Sequence, residues 1–455
     1  QHRPEQNAGT VTTYNYFNDD RIQQVVDARG ATINYSYDNR GLTTQVSTTS
    51  PNPSVIPVTP TVNYSYDNLG NRTSMTDGMG NTVYEYDQLS RLTAETRQFN
   101  DSMPNAPLGG NRFRVEYAWT ISSSLKSYTD PWGQQINYSQ DKVGRMSSIS
   151  GSSFGGVTNY ATNPQYRAWG ALKHLEYGNN DAYTNITYDN RLSPQYFETI
   201  KPSNGNPNIV KGQYEYYADG NLKKSFNPNG GIFDRSYTYD YVGRVKDAKS
   251  GAAVYNVQNP YATPYEKSYL YDPFGNMVAR KGVSYLDDVS YNYNPATQAP
   301  LADYVNNRKA GATYDAEGNT LNADQQTYIY TSNSQLFKAG DNTRETEKYY
   351  DGDGLEVKRQ VREKNVSNNT WEGWLLTYRL KSSVFGKDLG EISFNGTKGR
   401  TYVFNGGSVL AVVDAGQGQV YAQAFDAASK FSGVVLRFAV DAGGVFRIES
   451  EHAIK

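Results

Sequence analysis

The chain has 455 residues, a formal charge of −2 at pH 7 and no cysteine. Its 44 basic and 46 acidic residues leave no net basic surface for nucleic acid, and the missing thiols exclude disulfides, thiolate metal sites and cysteine nucleophiles. The three histidines, His2, His174 and His452, are too far apart in sequence to suggest a zinc centre or a catalytic triad.

The composition favours strands and turns. Tyrosine outnumbers phenylalanine 40 to 16, glycine reaches 41, and mean hydropathy is −0.74. No apolar run approaches the ~18 residues of a membrane span. The first residue is Gln1, not Met, so the chain reads as processed or as a fragment.

Taken in order, the elements repeat one phrase. Asp27-Ala-Arg-Gly30 opens a turn, and Tyr35-Ser-Tyr37-Asp38 runs to Gly41. A proline-rich loop is expected at 50–60. Tyr64-Ser-Tyr66-Asp67 then runs to Gly70, and Asp77-Gly-Met-Gly80 marks a turn halfway to the next unit. Tyr84-Glu-Tyr86-Asp87 ends in Ser90-Arg91-Leu92. A loop is expected at 99–111, followed by Asp130-Pro-Trp-Gly133 and by Tyr138 leading to Asp141 and Gly144. Tyr188-Asp189 leads to Arg191, and another loop is expected at 201–212. Tyr237-Thr-Tyr239-Asp240 runs to Gly243, and Tyr269-Leu-Tyr271-Asp272 to Gly275. Tyr314-Asp315 leads to Gly318 and Tyr350-Asp351 to Gly354. From about 382 the strands become more apolar. No segment predicts a helix of any length.

Each part of the phrase has a physical role. Alternate residues of a strand share a face, so both tyrosines of Tyr-x-Tyr point one way. The aspartate ends the strand because its carboxylate accepts from amides two residues on. The glycine three residues later takes φ > 0, as a short hairpin loop with a bulge requires. The unit is strand, turn, strand, turn, with about 10 residues to each strand-and-turn half.

Tyr-x-Tyr-Asp-x-x-Gly-Arg-Leu resembles the YD-repeat, or RHS-repeat, family. The likeness is best at 35–42, 64–72, 84–92, 237–245 and 269–276, and extends over about 14–360. The segments 382–392 and 400–414 also resemble the stretch that follows the repeats in bacterial RHS proteins. The resemblance implies an all-β fold, a β-spiral of stacked hairpins closing into a hollow tube or shell, with coils hydrogen-bonded into one another. It also implies a wall that encloses a C-terminal cargo or toxin domain, as in Tc-toxin encapsulating components; teneurin ectodomains share the repeat. Residues 1–381 are expected to form the spiral, and 382–455 to continue it. The self-cleaving cap of such proteins is not recognisable, and Asp130-Pro-Trp-Gly133 and Asp272-Pro-Phe-Gly275 read as repeat turns.

Other chemistry is weaker. Asp351-Gly-Asp353-Gly-Leu-Glu356 has the look of a calcium loop but lacks its remaining ligands, so a plain turn is expected and no metal or cofactor. Tyr214 and Tyr216, and Trp371 with Trp374, are candidates for contacting sugar rings; the plainer reading is sheet packing. Paired carboxylates for a glycosidase are not singled out, and no enzyme is expected. The expected protein is therefore a non-catalytic shell wall, secreted or at the cell surface. Its partners would be its own cargo, other copies of itself, or glycans. The alternative is an extracellular adhesive or filament-forming protein.

Overall fold

A computed structural model describes the chain except residues 1–2, 4, 8, 155–156, 179–181, 203–207, 228–230, 232–233, 257–264, 285–303, 306, 366, 415–418, 425–433, 441–445 and 454–455. Strands dominate, as the repeat predicts. No α-helix occurs among the described residues, where Gly251–Tyr255 forms a short 3-10 turn. No helix there is long and apolar enough to cross a membrane.

The chain divides into two compact units. One comprises Gln1–Thr158, Gly311–Tyr421 and Arg437–Arg447; the other comprises Asn159–Ala310, Ala422–Leu436 and Ile448–Lys455. The first unit contains two runs of antiparallel strands. In the earlier run, Thr13–Tyr16 pairs with Ile22–Val26, which pairs with Thr32–Tyr37, and so on in chain order to Met146–Phe154. The later run proceeds in the same way from Thr313–Tyr314 to Ser408–Asp414. In the second unit, the strands from Leu172–Tyr177 to Met277–Ser284 repeat the arrangement.

The register is the same at each motif. The ladder slips at the second tyrosine: Tyr37 faces Thr43, Tyr66 faces Arg72 and Tyr239 faces Val245. The slip is a β-bulge, and it adds the local twist a stack of hairpins needs.

The core of the first unit draws on both runs. Met75, Phe99, Phe113, Tyr128 and Ile136 of the earlier run are buried, as are Tyr378, Leu389, Val403 and Phe404 of the later one. The rings of Phe99 and Tyr378 meet edge to face at 5.2 Å.

Two expectations need correction. Residues 208–212 are not loop: Asn208–Tyr216 is a strand, in which Val210 faces Thr199 and Gly212 faces Phe197. The β-branched pair Ile209-Val210 suits a strand better than the flanking prolines suggested. Among the described residues, the coils of the first unit are also not joined by a continuous ladder, since its two runs lie in different sheets. Between the first and last strand of each run, the strands spend both edges on their chain neighbours, and turns of the later run seat against the earlier one.

Candidate functional site

The aspartate turn is the smallest working part. The Asp38 amide donates to the Leu42 carbonyl and the Gly41 amide to the Asp38 carbonyl, both at 2.9 Å. One carboxylate oxygen of Asp38 accepts from the Arg40 and Leu42 amides, each at 2.9 Å. Asp67, Asp87, Asp240 and Asp272 make the same pair of bonds, two and four residues on. Side-chain bonds from Asn71 to Asp67 and from Arg91 to Asp87, and these amide bonds with a side-chain donor at the other three, outweigh burial and hold all five aspartates below the ordinary carboxylate range. Gly41, Gly70, Gly243 and Gly275 sit at φ of +85°, +89°, +82° and +91°. Ser90 takes that place after Asp87, and Leu192 takes it after Asp189.

The tyrosines divide the work. The second of each pair reaches back to the residue that opens an earlier return strand. Tyr37 donates to the Ile22 carbonyl at 2.9 Å, Tyr66 to Thr43 at 2.9 Å, and Tyr86 to Arg72 at 3.0 Å. Tyr239 does so to Leu222 at 2.8 Å and Tyr271 to Val245 at 2.9 Å. The first tyrosine faces the core. Tyr84 is buried with Val62 and Met75, with Tyr64 packed against them. Tyr35 and Tyr269 are half-buried, and burial raises the pKa of both phenols. Tyr237 offers its backbone carbonyl to the Tyr217 hydroxyl at 3.0 Å.

Arginine ties one turn to the next. Arg40 pairs with Asp38 and also donates to the Asp67 carbonyl at 2.6 Å. Arg91 spans from Asp87 to the Thr120 carbonyl, and Arg244 from Asp240 to the Asp272 carbonyl.

Within the first unit, turns of the later run seat against the earlier run along a polar seam. Arg29 reaches Asp315, Ser332 and Ser334. Tyr64 donates to the Gly352 carbonyl at 2.7 Å, and the Gly352 amide donates to Asp77 at 3.1 Å. A Cβ on Gly352 would lie 2.4 Å from Val62, so only glycine fits this approach. Arg72 clasps Asp353 with both terminal nitrogens. Arg97 clasps the buried Asp77 in the same way, at 2.7 and 2.8 Å. Farther along, Tyr378 and Lys358 bond to Asp101, Ser383 bonds to Glu95, and Tyr117 bonds to both Glu95 and Ser382.

A cavity of about 260 Å³ lies in the seam, lined by Arg72, Tyr84, Glu95, Arg97, Asp351 and Arg379 among others. Burial raises the pKa of Glu95 and pushes that of Asp351 up to about 6, with Asp353 and Asp77 adding repulsion. Several groups around the cavity are spent on one another, while the Nε atoms of Arg97 and Arg379 make no hydrogen bond. Asp353 is taken by Arg72, and one oxygen of Asp351 accepts from the Asp353 and Leu355 amides. No cluster with the makings of a metal site occurs among the described residues. His174 bonds Asn185 at 2.7 Å; His2 and the side chain of His452 lie outside the described residues.

The aromatic candidates are placed as follows. Tyr214 is buried and stacked on Phe197, with ring centroids 5.7 Å apart, so it presents no face to a sugar. Tyr216 is partly buried and donates to the Pro194 carbonyl at 2.8 Å. Trp371 and Trp374 both pack on the Arg362 guanidinium, at 4.8 and 4.6 Å. The sequence pattern did not reveal the reach of the arginines or the seam, whose partners across the two runs stand more than 250 residues apart in the chain.

Comparison with known proteins agrees with the repeat. Residues 66–97 match the family model of the RHS repeat. No curated protein sequence matches the chain. Its fold is similar to the crystal structure of TcdB2-TccC3, with a TM-score of 0.62, 15% identity, and coverage of 96% of this chain and 26% of that one. It is also similar to TcdB2-TccC3-Cdc42, with a TM-score of 0.61, 16% identity, and coverage of 97% and 26%. The Tc holotoxin pore of Photorhabdus luminescens gives a TM-score of 0.61 at 16% identity, covering 97% of this chain and 25% of that one. The chain therefore has the all-β fold of an RHS shell and spans about a quarter of the length of the structures it matches.

Proposed function

We propose that this chain, which carries an RHS repeat on the fold of an RHS shell, is a stretch of non-catalytic wall that encloses and delivers a cargo or toxin polypeptide. The observation that carries the reading is the fold match along nearly the whole chain, 96% of it at a TM-score of 0.62. The seam supports it. Charged and hydroxyl groups that could serve catalysis are tied up in holding one run of hairpins to another. On this reading 382–455 continues the wall begun in 1–381, and the protein works outside the cell that makes it.

The test is the native polypeptide and what stays with it. A precursor well above 50.8 kDa, or a second fragment that co-purifies and resists protease until the wall is denatured, would support the container. A native chain of that mass alone, with no protected fragment, would refute it.

A further inference from the structure

The cavity in the seam is walled by both runs, with Arg72, Glu95 and Arg97 from the earlier and Asp351 and Arg379 from the later. Three polar atoms there lack a hydrogen-bond partner among the described residues. Arg97 gives both terminal nitrogens to Asp77, and its buried Nε–H meets no acceptor, in a residue 7% exposed. Arg379 gives a terminal nitrogen to Asp388, and its buried Nε–H also makes no hydrogen bond, although Glu356 lies 3.3 Å away. One oxygen of Asp351 takes the Asp353 and Leu355 amides, which leaves the other open. Buried donors are nearly always met by protein, water or ligand, so two unmet ones beside one cavity point to an occupant.

The occupant's charge follows from its neighbours. An anion would lie against Asp351, Asp353 and Glu95, where burial already disfavours carboxylate charge. A cation would lie against Arg72, Arg97, Arg379 and Lys381. A hydroxyl avoids both conflicts, since it accepts through its oxygen and donates its hydrogen. A molecule carrying several hydroxyls can therefore accept from the two Nε–H groups and donate to the open Asp351 oxygen without burying a further charge. Its carbon skeleton would rest on Met75, Leu355 and Val357, which wall the same cavity. At about 260 Å³, the space is smaller than the ~300–1,000 Å³ of sites for drug-sized ligands, so it suits one sugar unit or a smaller polyol, not a chain.

We infer that this cavity is a binding site for a small neutral polyol, of the class of a monosaccharide, whose hydroxyls bond to Arg97, Arg379 and Asp351. Because the walls belong to different runs, the bound molecule bridges the seam and holds the runs together. The inference goes beyond the container reading, since it needs no cargo.

Saturation-transfer-difference NMR and calorimetry on the whole chain test it, with glucose, galactose, mannose and myo-inositol as probes and inorganic phosphate as the anionic control. At least one polyol is expected to bind saturably at a single site, and phosphate is not. Asp351→Leu removes the open acceptor, and Leu355→Trp narrows the cavity from a position 42% exposed. Each variant is expected to lose about tenfold in affinity or more, with unchanged circular dichroism. The bound polyol should also slow hydrogen exchange at the Gly352 amide, which donates across the seam, more than at the ladder amides. No saturable binding by any of the four polyols would mean that water alone fills the space, and would overturn the inference. So would tighter binding of phosphate, or binding that both variants leave unchanged. Equal slowing of exchange at every amide would also overturn it, as the general effect of a sugar excluded from the protein surface.

Discussion

Leu192 stands where the repeat places glycine, at φ of +67°, with its side chain half in solvent. An L-residue in this region costs roughly 1–2 kcal/mol, and the exposed side chain returns little through packing. Leu192→Gly is therefore expected to stabilise the protein by about 1 kcal/mol, read as a higher denaturant midpoint at unchanged slope. Asp351 gives the opposite case, a residue that pays for its position when charged. Its folded pKa of about 6 lies above the ordinary 3.8, so the native state holds the proton more tightly than the unfolded chain. Its contribution thus improves as pH falls through 6 and is complete below the unfolded value; at neutral pH the ionised group is destabilising. Asp351→Asn should melt higher than the parent at pH 7, with the difference vanishing as pH approaches 4. A constant difference across that range would mean that the carboxylate is not the cause. Both turns could be read from the sequence, because the Tyr-Asp pair that opens each one recurs with the repeat, followed by Gly354 in one and by Arg191-Leu192 in the other. The raised pKa could not, since it comes from burial of Asp351 against the other run, with Asp353 and Asp77 adding repulsion.

For the hairpin, the informative contact is the second tyrosine's hydroxyl. Tyr66→Phe keeps the ring and removes only the bond to the Thr43 carbonyl. It is expected to cost about 1 kcal/mol, with the strand content in far-ultraviolet circular dichroism unchanged. A loss near zero would mean that water replaces the hydroxyl there. The Tyr-x-Tyr alternation predicted that the two rings share a face, but not what the hydroxyl meets. The separation from donor to acceptor is 14 residues for Tyr86, 15 for Tyr37, 23 for Tyr66 and 26 for Tyr271. Loop length varies between repeats while the geometry stays constant, so no fixed sequence offset marks the contact. The strand at Asn208–Tyr216 was obscured for a related reason, with Pro202 and Pro207 drawing attention from the β-branched pair beside them.

For the molecule, the all-β fold and the repeat were legible because one phrase recurs along most of the chain. The seam was not, because it joins residues far apart in sequence and uses ordinary turn residues for long-range contacts. Beside it, within the earlier run, Arg97 and Asp77 form a buried ion pair, with side chains 8% and 2% exposed. Arg97→Met should cost about 3–5 kcal/mol, because it strands a buried carboxylate, while adding Asp77→Leu should recover much of the loss. Chemical denaturation of the two variants checks this, and equal destabilisation by both would mean that packing, not charge, dominates there. The seam has a kinetic consequence as well. The two runs are held by side chains and scattered backbone bonds, so they can part without any strand leaving its ladder. In native-state hydrogen exchange, the Gly352 amide, which donates to Asp77 across the seam, should then exchange well before the ladder amides on either side of it. The same transient parting would widen the cavity between Arg72, Asp351 and Arg379 and admit solutes that the closed seam is too narrow to take.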